Sequence, residues 1–150
     1  MPGHVAFSPT PEPQEYPVTP ALVRGYKYAH DQMLEALAAM DELAKGAPPN
    51  QLRLSHTRLR ITRAGAESRA AFHKIALALT NHAGLSARRS VDTLERVHAE
   101  LRSLAKHHLA MWPHAQAQED WTGYCRSSAE VRRLWRETIA RERELLYPLL

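Results

Sequence analysis

Three histidines and one glutamate, His30, His73, His98 and Glu142, are the residues whose types and placement point to chemistry. Imidazole and carboxylate are a ligand pair that suits iron, zinc or manganese. Nine histidines among 150 residues is also a high count that asks for a use. Glu142 is the most informative of the four. The C-terminal run RERELLYPLL puts it on the helical face that carries Val131, Leu134, Trp135, Thr138 and Leu145, the buried side of a helix rather than the wet one. A carboxylate there needs a cation, hydrogen-bond donors or a metal ion, because unpaired burial of its charge is costly.

The elements that must position these residues are helices. Six of the ten prolines fall in the first twenty residues, so residues 1–18 read as an extended or disordered tail, too proline-rich for a helix. Thr19-Pro20 is a start signal, a hydroxyl N-cap followed by proline at the first helical position. A first helix is expected over 20–45, with Leu22, Tyr26, Met33, Leu37, Met40 and Ala44 as its stripe and the glycine of GAPPN as its C-cap. A second is expected over 51–82. It carries two apolar strips, Leu54/Ile61/Phe72/Ile75/Leu79 and Leu52/Leu59/Ala66/Ala70/Leu77, and so is expected to pack against two neighbours. A third runs from Ser86 to Trp112 with Leu94, Val97, Leu101, Leu104 and Met111 on its stripe, and Pro113 ends it. HAQAQEDWTGYCRSS reads as a linker pinned by Trp121 and Tyr124. Ser127 or Ser128 then caps a fourth helix that Pro148 stops. No segment alternates as a strand does. The expected fold is all-α: an antiparallel, up-down-up-down four-helix bundle over 19–150.

In that topology the start of the first helix, the end of the second, the start of the third and the end of the fourth share one end. At about 1.5 Å per residue, His30, His73, His98, Thr138 and Glu142 come to a similar height, roughly five to twelve residues in. His30 and His98 lie on their stripes, and His73 lies at the edge of one. Facing helices assemble metal sites from such inward side chains. The competing reading is that each histidine is a hydrogen-bonded core residue, with Glu142 paired to a buried histidine or to Arg102.

These residues resemble the hemerythrin-like (HHE, cation-binding) four-helix bundle family. LERVHAELRSLAKHHLAMWP, HAQAQEDWTGY and TIARERELLYP are similar to the C-terminal half of bacterial members, and AHDQMLEALAAMDEL is similar to their opening helix. AAFHKIALALTNH keeps a histidine in place and little else. The resemblance implies a diiron site. Carried over position by position, His30, His73, His98 and Glu142 match ligands, while the second-helix carboxylate position holds Leu77. Arg102 follows His98 at i+4, and Thr138 stands where a histidine is expected. With half the set gone, reversible dioxygen carriage is not expected. Two functions follow: a metal-, oxygen- or redox-responsive sensor or regulator holding iron in a mono-iron or incomplete diiron site, or a metal-free bundle acting as a protein-interaction module in signalling.

The rest of the chain excludes several classes. It has no glycine-rich phosphate loop, nucleophile elbow or His-Glu-x-x-His, so no catalyst is expected. A net charge of +4 is too weak to imply nucleic acid, and no aromatic residues interleave with the Arg53/His56/Arg60/Arg63 stripe. That stripe reads as a solvated face or a partner-binding one. His107-His108, with His114, reads as solvated. The single cysteine, Cys125, agrees with a reducing cytoplasm. No run is apolar enough to span a bilayer and no secretory signal is visible, so a soluble cytoplasmic chain with a protein partner and no membrane partner is expected.

Overall fold

The computed structural model describes residues 17–82 and 84–150, and it is all-α. Most of the expected tail, residues 1–16, lies outside the described residues. The helices are α1 (Pro20–Ala44), α2 (Gln51–His82), α3 (Gly84–Met111), the short α4 (His114–Glu119) and α5 (Trp121–Leu145), closed by a 3₁₀ turn at Tyr147–Leu149. α1 packs on α2, α2 on α3, α3 on α5, and α5 back on α1. No helix among the described residues is long and apolar enough to cross a membrane.

Local chemistry explains most of the boundaries. The Thr19 hydroxyl accepts from the Leu22 N–H at 3.1 Å, and Pro20 occupies the first turn, where a missing N–H costs nothing. The side chain of Asn50 caps α2 in the same way, accepting from the Arg53 N–H at 2.8 Å. α1 does not end on a glycine cap: its C-cap is Lys45 in ordinary right-handed conformation, closed by its own N–H. The glycine that does need the left-handed region is Gly84, with φ of 78°, at the α2–α3 junction. α3 accordingly starts there and not at Ser86.

Two further expectations are corrected. The segment 114–128 is not a linker but α4 and the first turns of α5. Asp120 caps α5 by accepting from the Gly123 N–H at 3.0 Å, whereas Ser128 is buried within the helix. The Trp121 indole N–H donates to the Gly46 carbonyl at 3.0 Å and fixes this corner against the end of α1. The second apolar strip of α2 also faces outward, with Leu52 71% exposed and Leu59 and Leu77 each 46%. Beyond the strip of Leu54, Phe72, Ile75 and Leu79, the buried positions of α2 are small: Ala64, Ser68, Ala76 and Ala78. Small side chains let neighbouring helices approach, so the leucines are not needed for those contacts. Met111, likewise, is exposed.

Among the described residues the core falls into three apolar clusters. One gathers Tyr26, Phe72, Ile75, Leu79, Leu94 and Leu146; the next Met33, Leu37, Leu101, Trp135 and Ile139; the last Met40, Leu43, Leu54 and Tyr124. Along each chain, polar residues interrupt them. His30, His98 and Glu142 fall between the first cluster and the second, and His108 and Ser128 between the second and the third, with Arg132 beside them at the edge of the second.

Two glycines separate open helix surface from constrained space. Gly25 lies in the interior of α1 with nothing within 4 Å of an added Cβ, so Gly25→Ala should stabilise by about 0.5–1 kcal/mol. A Cβ on Gly123 would meet the capping Asp120 carboxylate and, at 2.8 Å, the Trp112 ring, so Gly123→Ala should cost about 1–2 kcal/mol. Thermal melts of both variants should move in opposite directions from the wild type.

Candidate functional site

Glu142 comes from the last turns of α5 and is fully buried. Its two oxygens are shared out. Oε2 lies 2.6 Å from His30 Nε2 on α1, and Oε1 lies 2.8 Å from His98 Nε2 on α3. His30 is fully buried and His98 is 3% exposed. The chain turns back after α5, so that Tyr147, just before Pro148, brings its hydroxyl 2.6 Å from His30 Nδ1. The run Leu-Tyr-Pro at the end of a charged helix therefore completes a polar network: Tyr147–His30–Glu142–His98.

The proton positions follow from the partners. A carboxylate accepts only, so both Nε2 atoms donate to it. Burial pushes the Tyr147 hydroxyl above its usual range, against the pull of Arg143, so it stays protonated and donates to His30 Nδ1. His98 Nδ1 is buried without a partner, which fits a bare lone pair rather than a stranded N–H. Burial raises the Glu142 carboxyl, but the hydrogen bonds from His30 and His98 outweigh it and hold the group below its ordinary value. Tyr26, buried beside this layer, has its hydroxyl pushed far up by burial and by the negative charge of Glu142. Its ring centroid lies 4.4 Å from that of His30, and Phe72 stacks on His98 at 4.4 Å. The layer is thus a buried anion, held by two N–H donors and walled by aromatic rings.

The other expected ligands are elsewhere. His73 is on the exposed side of α2 and does not join the layer. Leu77 is exposed, so the ligand position ascribed to it by resemblance is not interior. Arg102 points outward and does not pair with Glu142. Thr138 is fully buried, but its hydroxyl donates to the Leu134 carbonyl of its own helix at 2.7 Å. Among the described residues, no three or more His, Cys, Asp or Glu side chains are placed to hold a metal ion. The donor set His30, His98 and Glu142 is chemically suited to one. Its arrangement is not: the ligand atoms touch each other at 2.6–2.8 Å, whereas an ion bound at about 2.0–2.2 Å to each would hold them about 3 Å apart or more.

A second polar cluster escaped the sequence reading. His108 is not solvated. It is 8% exposed, with Nδ1 2.7 Å from the Ser127 hydroxyl, while its neighbour His107 is exposed. His114 binds the Ser55 hydroxyl at 3.2 Å instead of joining them. Arg132 donates to the Ser128 carbonyl and, with Arg136, to Asp41. Burial raises the Asp41 carboxyl, and the two arginines more than reverse this. The available signal was the seven-residue step Leu94–Leu101–His108, which puts His108 on the α3 stripe. The Arg53/His56/Arg60/Arg63 stripe is exposed, as a solvated face would be.

In comparisons with known proteins, no family model matches this chain, and neither a curated protein nor a solved structure does.

Replacing Glu142 separates loss of charge from loss of acceptors. Glu142→Leu strands two buried N–H donors and should cost about 3–5 kcal/mol. Glu142→Gln keeps one acceptor oxygen and should cost about 1–3 kcal/mol. Equal, near-zero costs in denaturant melts would exclude the network as a structural element.

His108 sets a pH window of its own. Burial, then the charges of Arg58 and Arg132, push it down to about 4 from an ordinary 6.5. The unfolded chain takes up that proton first, so stability is full above pH 6.5 and falls as pH drops towards 4, by as much as about 3 kcal/mol. Loss through Glu142 has the same sign but belongs to lower pH, below the ordinary carboxylate value. Stability-versus-pH curves should therefore lose their upper limb in His108→Gln and keep the lower one.

Proposed function

We propose that the chain is a hemerythrin-like, up-down-up-down four-helix bundle whose metal layer is replaced by hydrogen bonds, and that it acts as a metal-free, non-enzymatic regulatory module through a protein partner. The observation that carries this reading is Glu142 itself, with each oxygen held by a different histidine Nε2 at 2.6 and 2.8 Å. Protons fill the positions that an ion would need. The ring of helix contacts and the shared height of His30, His98 and Glu142 support the bundle topology. Leu52 and Leu59, exposed two helical turns apart beside Arg53, Arg60 and Arg63, support docking by a partner on this part of α2, because an exposed apolar surface rimmed by charge marks an interaction site.

The test has two arms. Elemental analysis of protein purified without chelator or nickel should find no stoichiometric transition metal, and added ferrous iron should leave the melting temperature unchanged. Stoichiometric metal that disappears in His30→Ala would overturn the metal-free reading in favour of an iron-holding sensor. In the native host, a photo-crosslinker at position 59 should give one discrete protein adduct that a crosslinker at exposed position 144 does not. Identical patterns at the two positions would overturn docking on α2.

A further inference from the structure

A partly open cavity of about 120 Å³ lies among α1, α2, α3 and α5, beside the second polar cluster and away from His30, His98 and Glu142. Its walls are of two kinds. Leu37, Met40, Ile61 and Trp135 are apolar, whereas Arg58, Arg69 and Arg132 bring guanidinium groups to it. Arg132 is neutralised by Asp41. Arg58 and Arg69 have no carboxylate partner among the described residues. The Arg58 Nη1 atom is buried with no hydrogen-bond acceptor, while its guanidinium lies 5.6 Å above the Tyr124 ring. Arg69 is partly buried, and Arg102 adds a second positive charge close to it.

Buried guanidinium groups are ordinarily paired, because an unmatched charge away from water is costly. Here no matching acid stands among the described residues, and a space adjoins the unmatched donors. Charge excludes a metal cation as its occupant. The apolar walls disfavour a fully hydrated inorganic ion, and the small volume excludes a nucleotide. A cavity near 150 Å³ accommodates about one benzene ring, so this one takes a body of only a few carbons. We infer that the cavity is a binding site for a small organic carboxylate, its anionic head paired with Arg58 and Arg69 and its hydrocarbon against Leu37, Met40, Ile61 and Trp135.

His108 lines the same cavity and keeps its Nδ1 on Ser127. Gly65 contributes by what it lacks: a Cβ there would stand 3.0 Å from the Trp135 ring and press on it, so glycine leaves that indole room on the wall. Trp135 is thereby an internal reporter. This site is independent of the proposed metal-free layer, and either reading can fail without the other.

The experiment is a titration of the full chain with sodium butyrate at constant ionic strength, read by tryptophan emission and melting temperature. 1-Butanol and butylammonium serve as isosteric controls. Butyrate should give a saturable emission change and raise the melting temperature by several degrees, with butanol at least tenfold weaker and butylammonium silent. Arg58→Met should weaken butyrate at least tenfold, and Arg53→Met, on the exposed face, should not. Ala105→Leu fills the cavity while keeping both arginines, so it should abolish the response in a protein that still melts cooperatively. Equal responses to butyrate and butanol, no saturable response, or undiminished binding in Ala105→Leu would each overturn the site.

Discussion

The rest of the structure depends on one buried negative charge. Glu142 has no access to water, so its solvation must come entirely from protein donors, and the two it has are on different helices. That requirement couples α1, α3 and α5 at one height. Each helix carries its polar residue in the middle of an apolar stripe: Tyr26–His30–Met33, Leu94–His98–Leu101 and Ile139–Glu142–Leu146. A slip of any one helix by a turn would move its polar group by about 5.4 Å into hydrocarbon and strand the other two. Apolar packing supplies the bulk of the attraction, and the network adds a directional requirement to the register that packing sets.

The two polar layers solve the same problem in opposite ways. Around Glu142 the charge is negative and two imidazoles each direct an Nε2–H at it. Around His108 the charge is positive and crowded, with Arg58 and Arg132 near a histidine that burial already keeps neutral. Asp41 compensates only Arg132 and Arg136 at its edge. In one layer both carboxylate oxygens are matched to imidazole donors and only the Tyr26 hydroxyl beside them is left over, while the other leaves guanidinium donors facing a cavity. The first layer is suited to fixing the helices, and the second to receiving something from outside the fold.

How much of this was legible in the sequence depended on periodicity. The first three helices, the capping Thr19 and the burial of Glu142 could be read directly, because an apolar stripe with a polar residue in it admits one orientation. His30 and His98 followed for the same reason. His73 did not, because α2 carries two apolar strips and the sequence alone does not say which one turns inward; it sits beside buried Phe72 but on the exposed side. His108 was hidden by its neighbour, since a His-His pair looks solvated until the step from Leu101 is counted. The α4–α5 corner was hidden by its short helix and by an aspartate cap in a run of polar residues that reads as loop.

On the metal-free reading, the layer also resists conversion to a metal site. Each Nε2 carries a proton directed at a carboxylate oxygen, so an ion would have to displace both protons and spread the three ligands. Spreading is opposed on every side. Phe72 stacks on His98, Tyr26 lies against His30, and the helix neighbours Met33, Leu94, Leu101, Ile139 and Leu146 are close-packed. Tyr147 occupies the remaining nitrogen of His30 as a donor, which leaves that imidazole no face open to an ion. A fourth ligand is not within reach either, because Thr138 is turned to its own backbone and His73 is outside. The same hydrogen bonds that replace an ion's charge therefore hold its ligands too close together to admit one.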